Sequence, residues 1–165
     1  MHQDISSVLN KPTIAVLDFD GTLTFGDTLL PFLARVSLPK LLLGLIVVSP
    51  AIGALFLSCG LSKRMAIRER VKQLLCSTVL RGCRRDDLVV LASKWVPSIR
   101  FRPKTLIRLQ WHKAQGHKVA IASASPDIYM EEAARHLGID VLFCTCLETD
   151  GTGRLTGRFS TPNCW

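Results

Sequence analysis

The sequence predicts an α/β fold, a parallel sheet interrupted by a long helical insertion, and three stretches predict it. Ile14-Ala15-Val16-Leu17 is continuously apolar between Pro12 and Gly21, the pattern of a strand buried on both faces of a parallel sheet. Lys118 to Ser123 and Asp140 to Thr145 read as two further strands with a helix between them, which makes a right-handed β-α-β unit. The middle of the chain, residues 28–99, reads as mainly helical.

Taken in order, the first strand spans Thr13 to Asp18 and delivers Asp18 at its carboxyl end, where ligands bind in open α/β sheets. Asp27 is placed to cap the helix that begins Thr28-Leu29-Leu30, since Asp is favoured at that position. Further along, Met65, Val71, Leu74, Leu75 and Val79 recur at helical spacing among basic residues, as in a solvated helix packed on a core. Ser125 reads as the N-cap of the crossover helix with Pro126 in its first turn; Ile128, Ala133, Ala134 and Leu137 supply apolar positions, and Gly138 ends it. Asp150-Gly151-Thr152-Gly153 followed by Arg154-Leu155-Thr156-Gly157 reads as a turn and short hairpin.

The chemistry concentrates in Asp18-Phe19-Asp20-Gly21-Thr22-Leu23-Thr24. Asp20 follows Asp18 on a turn and faces the same way. One carboxylate can attack phosphorus, the second can protonate the leaving oxygen, and a divalent cation can neutralise the charge between them. Gly21 and Thr22 offer an N–H and a hydroxyl to phosphate oxygens. A calcium loop of the EF-hand kind requires Glu at its twelfth position; counted from Asp18 that position is Leu29, which excludes it.

These residues resemble the first motif of the haloacid dehalogenase superfamily, the aspartate-nucleophile phosphatases. Within it the chain resembles subfamily IB, which includes phosphoserine phosphatases and membrane-associated phosphatidylglycerophosphatases. Lys118-Val119-Ala120-Ile121-Ala122-Ser123-Ala124-Ser125-Pro126 is similar to the second motif, and the resemblance makes Ser123 a phosphoryl-binding group. Leu155-Thr156-Gly157-Arg158 and Pro162-Asn163-Cys164 resemble the segments that precede the third motif. The resemblance implies a Rossmann-like parallel sheet, residues 1–27 and 100–165, with an inserted helical cap, residues 28–99.

By the same resemblance, Asp18 is the nucleophile, Asp20 the general acid and base, and the amides of Phe19 and Gly21 hold phosphate oxygens. The resemblance also implies that Asp18, by its carboxylate, and Asp20, by its backbone carbonyl, hold Mg²⁺. Asp27 stands where phosphoserine phosphatases carry a Glu that reaches the substrate's amino group, and Arg158 is a second candidate substrate contact. The family's third motif supplies a Lys and its fourth supplies acidic metal ligands, both after the Pro-Asn-Cys signature. The sequence ends at Trp165, so the expectation is an incomplete sheet and site. It is also an exposed edge on the first strand, through which the chain can self-associate. The expected activity is Mg²⁺-dependent hydrolysis of a phosphate monoester, either a lipid phosphate or a small metabolite such as phosphoserine. The alternatives are a noncatalytic remnant and a membrane-associated interaction protein.

The second informative stretch is Leu41 to Leu61, 21 positions without a charge, closed by Lys40 and Lys63. Its length matches a transmembrane helix. Pro50 lies at its middle, so two short helices broken at Ser49-Pro50 and dipping into one leaflet are expected instead. The alternative is an apolar cap packed over the site. From Lys63 to Lys118 there are fifteen Lys and Arg against Glu69, Asp86 and Asp87. Such a block suits an anionic membrane surface, each nearby cation contributing about 1 kcal/mol; a cytoplasmic chain is expected, either free or attached to the inner face of the cell membrane. Nucleic acid is not expected as a partner despite the net charge of +8.

A 48% hydrophobic content over 165 residues supports one folded domain with an inserted part. The six cysteines, Cys59, Cys76, Cys83, Cys144, Cys146 and Cys164, form no C-x-x-C pair, and the polar stretch Met1 to Lys11 has no apolar core segment. Reduced thiols are expected. His2, His112, His117 and His136 are not spaced as a zinc pair.

Overall fold

The computed structural model describes residues 13–57 and 61–161; His2, Cys59, the Pro162-Asn163-Cys164 signature and the side chain of Met65 lie outside the described residues. Among the described residues five α-helices and five strands follow in order, with short helical turns at Phe19–Leu23 and Val96–Ser98: β1 (Ile14–Asp18), α1 (Leu29–Leu57), α2 (Leu61–Leu80), α3 (Arg85–Trp95), α4 (Pro103–Ala114), β2 (Lys118–Pro126), α5 (Asp127–Leu137), β3 (Val141–Thr145), β4 (Leu147–Thr149) and β5 (Leu155–Phe159). β1, β2 and β3 form a parallel sheet in that order, and β4 with β5 forms an antiparallel hairpin that packs on α2. The α/β class and parallel sheet therefore stand as expected.

β1 departs from its expected burial. Ala15 is buried, but Ile14 is 55% and Val16 61% exposed. The pairings Val16↔Ala120, Ala120↔Val141 and Ala122↔Phe143 place Val16 on the same face as Val141 and Phe143, which are also exposed. Paired residues in a parallel sheet share a face. This second face is exposed at Ile14, Val16, Val141 and Phe143, and among the described strands β1 is at the edge. A continuous apolar run thus does not tell one covered face from two.

The break in the apolar segment also falls elsewhere. α1 kinks at Ser37 (φ −163°, ψ 102°) and then continues through Pro50 to Leu57. Proline lacks the N–H that would bond the carbonyl four residues back, here that of Ile46. The Ser49 hydroxyl donates to that carbonyl at 2.8 Å and replaces the missing bond. Beyond the kink Leu41, Gly44 and Val48 are buried and form one stripe. Gly44 permits a close approach to α2, since a Cβ there would lie 3.2 Å from Leu75 Cδ2. On α2, Leu75 and Val79 are buried and Val71 half-buried, whereas Leu74 is 43% exposed.

α5 begins one residue later than its sequence signals suggest. Pro126 is the N-cap residue and the Ser125 side chain makes no cap, because its hydroxyl is bonded elsewhere. The helix ends as expected at Gly138, which adopts the left-handed conformation (φ 61°). Tyr129 of α5 lies 4.8 Å from Phe32 and 5.5 Å from Trp95 between ring centroids, so one aromatic cluster ties α1, α3 and α5 together. Arg85 of α3 donates to Asp127 Oδ2 at 2.8 Å, and Asp127 Oδ1 accepts from the Leu147 N–H at 3.2 Å. That buried carboxylate links α3, α5 and the hairpin. In the hairpin turn Asp150 Oδ1 accepts from both Thr152 groups and the Arg154 N–H, an Asx-type turn.

Candidate active site

β1 ends in Asp18, whose partner on β2 is Ala122, one residue before Ser123. Parallel pairing therefore brings the carboxyl ends of two strands together, and the chain turns away from β1 through Phe19–Leu23, with Gly21 at φ 78°. This left-handed position suits glycine. Above the strand ends lies a cavity of about 330 Å³, lined by Asp18, Asp20, Ser123 and Ser125 from the sheet side. Leu29, Leu30 and Asp27 of the α1 entry line it too, with Arg68, Val71, Lys72 and Leu75 of α2 opposite.

Asp18 and Asp20 occupy different environments. Asp18 is exposed; its Oδ2 accepts from the Thr22 hydroxyl at 2.9 Å, and among the described residues its Oδ1 accepts no hydrogen bond. Asp20 is clamped: its Oδ1 accepts from the Thr28 N–H (2.8 Å) and hydroxyl (2.6 Å), and its Oδ2 from the Ser125 hydroxyl (2.6 Å). Burial pushes the Asp20 carboxyl above its ordinary pKa, against the lowering effect of the Ser125 and Thr28 bonds, and the neighbouring Asp27 adds to the rise. The Tyr129 hydroxyl lies 3.3 Å from Thr28 Oγ1. Burial raises its pKa well above the usual value, so it stays neutral.

Of the other expected residues, Ser123 is buried beside the acids, and its Oγ accepts from the Ser125 N–H at 3.1 Å. Phe19 puts its side chain in the core, where it is fully buried. The Gly21 N–H donates to Thr24 Oγ1 over a long 3.3 Å. The Thr22 hydroxyl is spent on Asp18. Asp27 Oδ1 accepts from the N–H groups of Leu29 (2.9 Å) and Leu30 (3.2 Å), so it caps α1 while also lining the cavity. Arg158 is not brought to this cavity: it lines a separate one with Arg70, Gln73, Ser77 and Gly157, because the hairpin turns it outward along α2.

Sequence reasoning did not assign Thr28, Ser125, Tyr129, Arg68 or Lys72 to the site. Ser125 carried a readable signal, since Ser123 and Ser125 alternate along one strand and so face one side. Thr28 and Tyr129 are 101 residues apart, and only the docking of α5 against α1 makes them neighbours.

The oxygen donors fit Mg²⁺, which takes one or two carboxylates and completes its shell with water and substrate phosphate. Asp18 has an uncommitted oxygen for it, whereas both carboxylate oxygens of Asp20 are engaged, leaving the Asp20 backbone carbonyl as the donor from that residue. Among the described residues no group of three or more His, Cys, Asp or Glu is placed to hold a metal.

Comparison with known proteins agrees with the fold. A family model described as haloacid dehalogenase-like hydrolase matches residues 15–165. Protein CicA of Caulobacter vibrioides (strain NA1000 / CB15N) is 31% identical over 157 residues, covering 94% of this chain and 68% of that protein. A phosphoserine phosphatase solved as a phospho-aspartyl intermediate analogue superposes with a TM-score of 0.57 at 21% identity, over 91% of this chain and 63% of that one. A probable phosphoserine phosphatase from Vibrio cholerae gives 0.59 at 21% identity, over 94% and 42%. The chain thus spans less than two thirds of either solved structure, and the likeness to them is one of fold. With a family match over nearly its whole length and a curated relative at this identity, the chain belongs to the haloacid dehalogenase-like hydrolases.

Proposed function

We propose that this chain hydrolyses phosphate monoesters through an aspartyl phosphate on Asp18. The observation that carries the reading is the contrast between its two carboxylates, Asp18 exposed and uncommitted at one oxygen, Asp20 half-buried, clamped by Thr28 and Ser125, and with a raised pKa. Such a contrast is how one site assigns a nucleophile and an acid. A phosphoserine phosphatase of similar fold, solved as an analogue of its phospho-aspartyl intermediate, supports the same chemistry.

An Asp18 carboxylate oxygen attacks phosphorus and the P–O bond to the alcohol breaks. Protonated Asp20 gives its proton to the departing alkoxide oxygen. Asp20, now a carboxylate, takes a proton from water as that water attacks phosphorus; the bond to Asp18 breaks and its carboxylate returns. Ser125 and Thr28 hold the Asp20 carboxyl in one orientation throughout. Ser123 lines the cavity and can donate its hydroxyl to a phosphate oxygen. The Asp18 carboxylate and the Asp20 backbone carbonyl would hold Mg²⁺, which when bound would neutralise charge shared by nucleophile and phosphate.

For the alcohol portion, Leu29, Leu30, Val71 and Leu75 offer apolar surface while Arg68 and Lys72 supply positive charge. A lipid phosphate monoester matches that lining better than phosphoserine, because the Asp27 oxygen that accepts the Leu29 and Leu30 N–H groups is committed to the helix cap. A second reading is a noncatalytic chain, since among the described residues no three His, Cys, Asp or Glu side chains gather at one point to hold a metal. Release of inorganic phosphate from a panel of monoesters, with and without Mg²⁺, separates the two. Turnover that requires Mg²⁺ and disappears in Asp18→Asn is expected. Equal release by wild type and Asp18→Asn gives the second reading.

A further inference from the structure

Beyond its kink α1 has two sharply different sides. Leu41, Gly44 and Val48 face α2 and are buried. On the opposite side Leu38, Leu42, Leu43, Ile46 and Val47 are each 53% to 70% exposed. A solvent-facing helix side normally carries polar residues; this one carries large aliphatic side chains, with Lys40 exposed beside them. Exposed apolar surface of this kind marks a site of contact.

We infer that this face of α1 docks on an anionic lipid surface, with the helix lying in the plane of the interface. Charge identifies the occupant. No Asp or Glu occurs between Asp27 and Glu69, whereas Arg35, Lys40, Lys63, Arg64 and Arg68 do, so the sequence of α1 and the start of α2 is wholly cationic. Cations bordering an apolar helix face are the pattern that binds negatively charged headgroups.

The packing decides between lying and spanning. The segment Leu29–Pro50 is long and apolar enough to cross a membrane, yet 28% of it is buried inside the protein. Its buried stripe rests on α2 at Leu75 and Thr78, and α2 carries Arg68, Glu69, Arg70 and Lys72 just before that contact. Spanning would either draw those charges into hydrocarbon, which is costly, or strip α2 from α1. Docking by one face leaves the contact intact. Leu30, which is 39% exposed, and Arg68 line the cavity above the acids, so the site opens between the same two helices.

The test is flotation of the full chain with vesicles of phosphatidylcholine alone or mixed with phosphatidylglycerol, comparing wild type, the double variant Leu42→Glu with Ile46→Glu, and Lys40→Glu. Thermal melts confirm that the exposed substitutions leave the fold intact. Expected are binding to the mixed vesicles, a loss of at least about tenfold in the double variant, a smaller loss in Lys40→Glu, and release of the protein by alkaline carbonate. Undiminished binding of the double variant, or no binding by wild type, overturns the inference. Retention through carbonate with protection from protease shows spanning and overturns it as well. A soluble oligomer that the double variant dissociates, without vesicle binding, assigns the face to a second copy and overturns the lipid assignment. Asp18→Asn should bind vesicles like wild type, so failure of the docking and failure of the phosphatase reading are seen separately.

Discussion

At the scale of single residues, Asp18 and Asp20 are chemically identical and become different through their neighbours. Asp20 is surrounded by Thr28, Ser125 and the body of the fold, and loss of hydration outweighs the three hydrogen bonds it accepts. Its carboxyl is raised above the reference value of 3.8 in the folded chain, so the native state holds the proton more tightly than the unfolded state. This contribution to stability is fully present below the unfolded pKa and is lost as pH rises through the folded one. Asp20→Asn removes the ionisation. In Mg²⁺-free buffer the variant should melt at a higher temperature than wild type at neutral pH, with the difference closing in acid. Paired thermal melts across that range check it; a lower melting temperature at neutral pH would show that the three hydrogen bonds outweigh burial. The same variant should lose turnover, since Asn cannot exchange the proton.

At the scale of elements, close packing is set by a few small or specially bonded residues. Gly44 lets α1 approach α2, and a side chain there would meet Leu75 and Thr78 at 3.2 to 3.6 Å. Gly44→Leu should destabilise the chain by about 1–3 kcal/mol through overpacking, read as a lower denaturant midpoint. Because Leu75 also lines the cavity, the variant should raise KM for a bulky monoester more than it changes kcat. The helices and hairpin were legible in the sequence where local chemistry acts alone: Gly138 ending α5, Asp27 capping α1, Asp150 closing the hairpin turn. Sequence misplaced the break in α1 because Pro50 signals a disruption. Ser49, one residue earlier, supplies the replacement hydrogen bond and lets the helix continue.

At the scale of the whole molecule, the three-stranded sheet has one face packed and, among the described residues, the other exposed at Ile14, Val16, Val141 and Phe143, with β1 at its edge. Exposed apolar edges are where strands of other chains add. Val16 is 61% exposed, so Val16→Lys should change stability by less than about 1 kcal/mol while lowering aggregation measured by light scattering at high concentration. Unchanged scattering would place any self-association on another surface.

The sequence by itself determined the class of fold and the acids Asp18 and Asp20 at a strand end, because strand patterns and short motifs act over a few residues, while Ser123 was singled out by the resemblance of its strand to a family motif. Only the tertiary structure decided that Ser125 and Thr28 grip Asp20, that Arg68 and Lys72 line the same cavity as the acids, that Arg158 lines another, and that one side of α1 is exposed among the described residues. Those facts depend on which helix packs on which strand. Contacts between segments as far as a hundred residues apart leave no periodicity for a single chain to display.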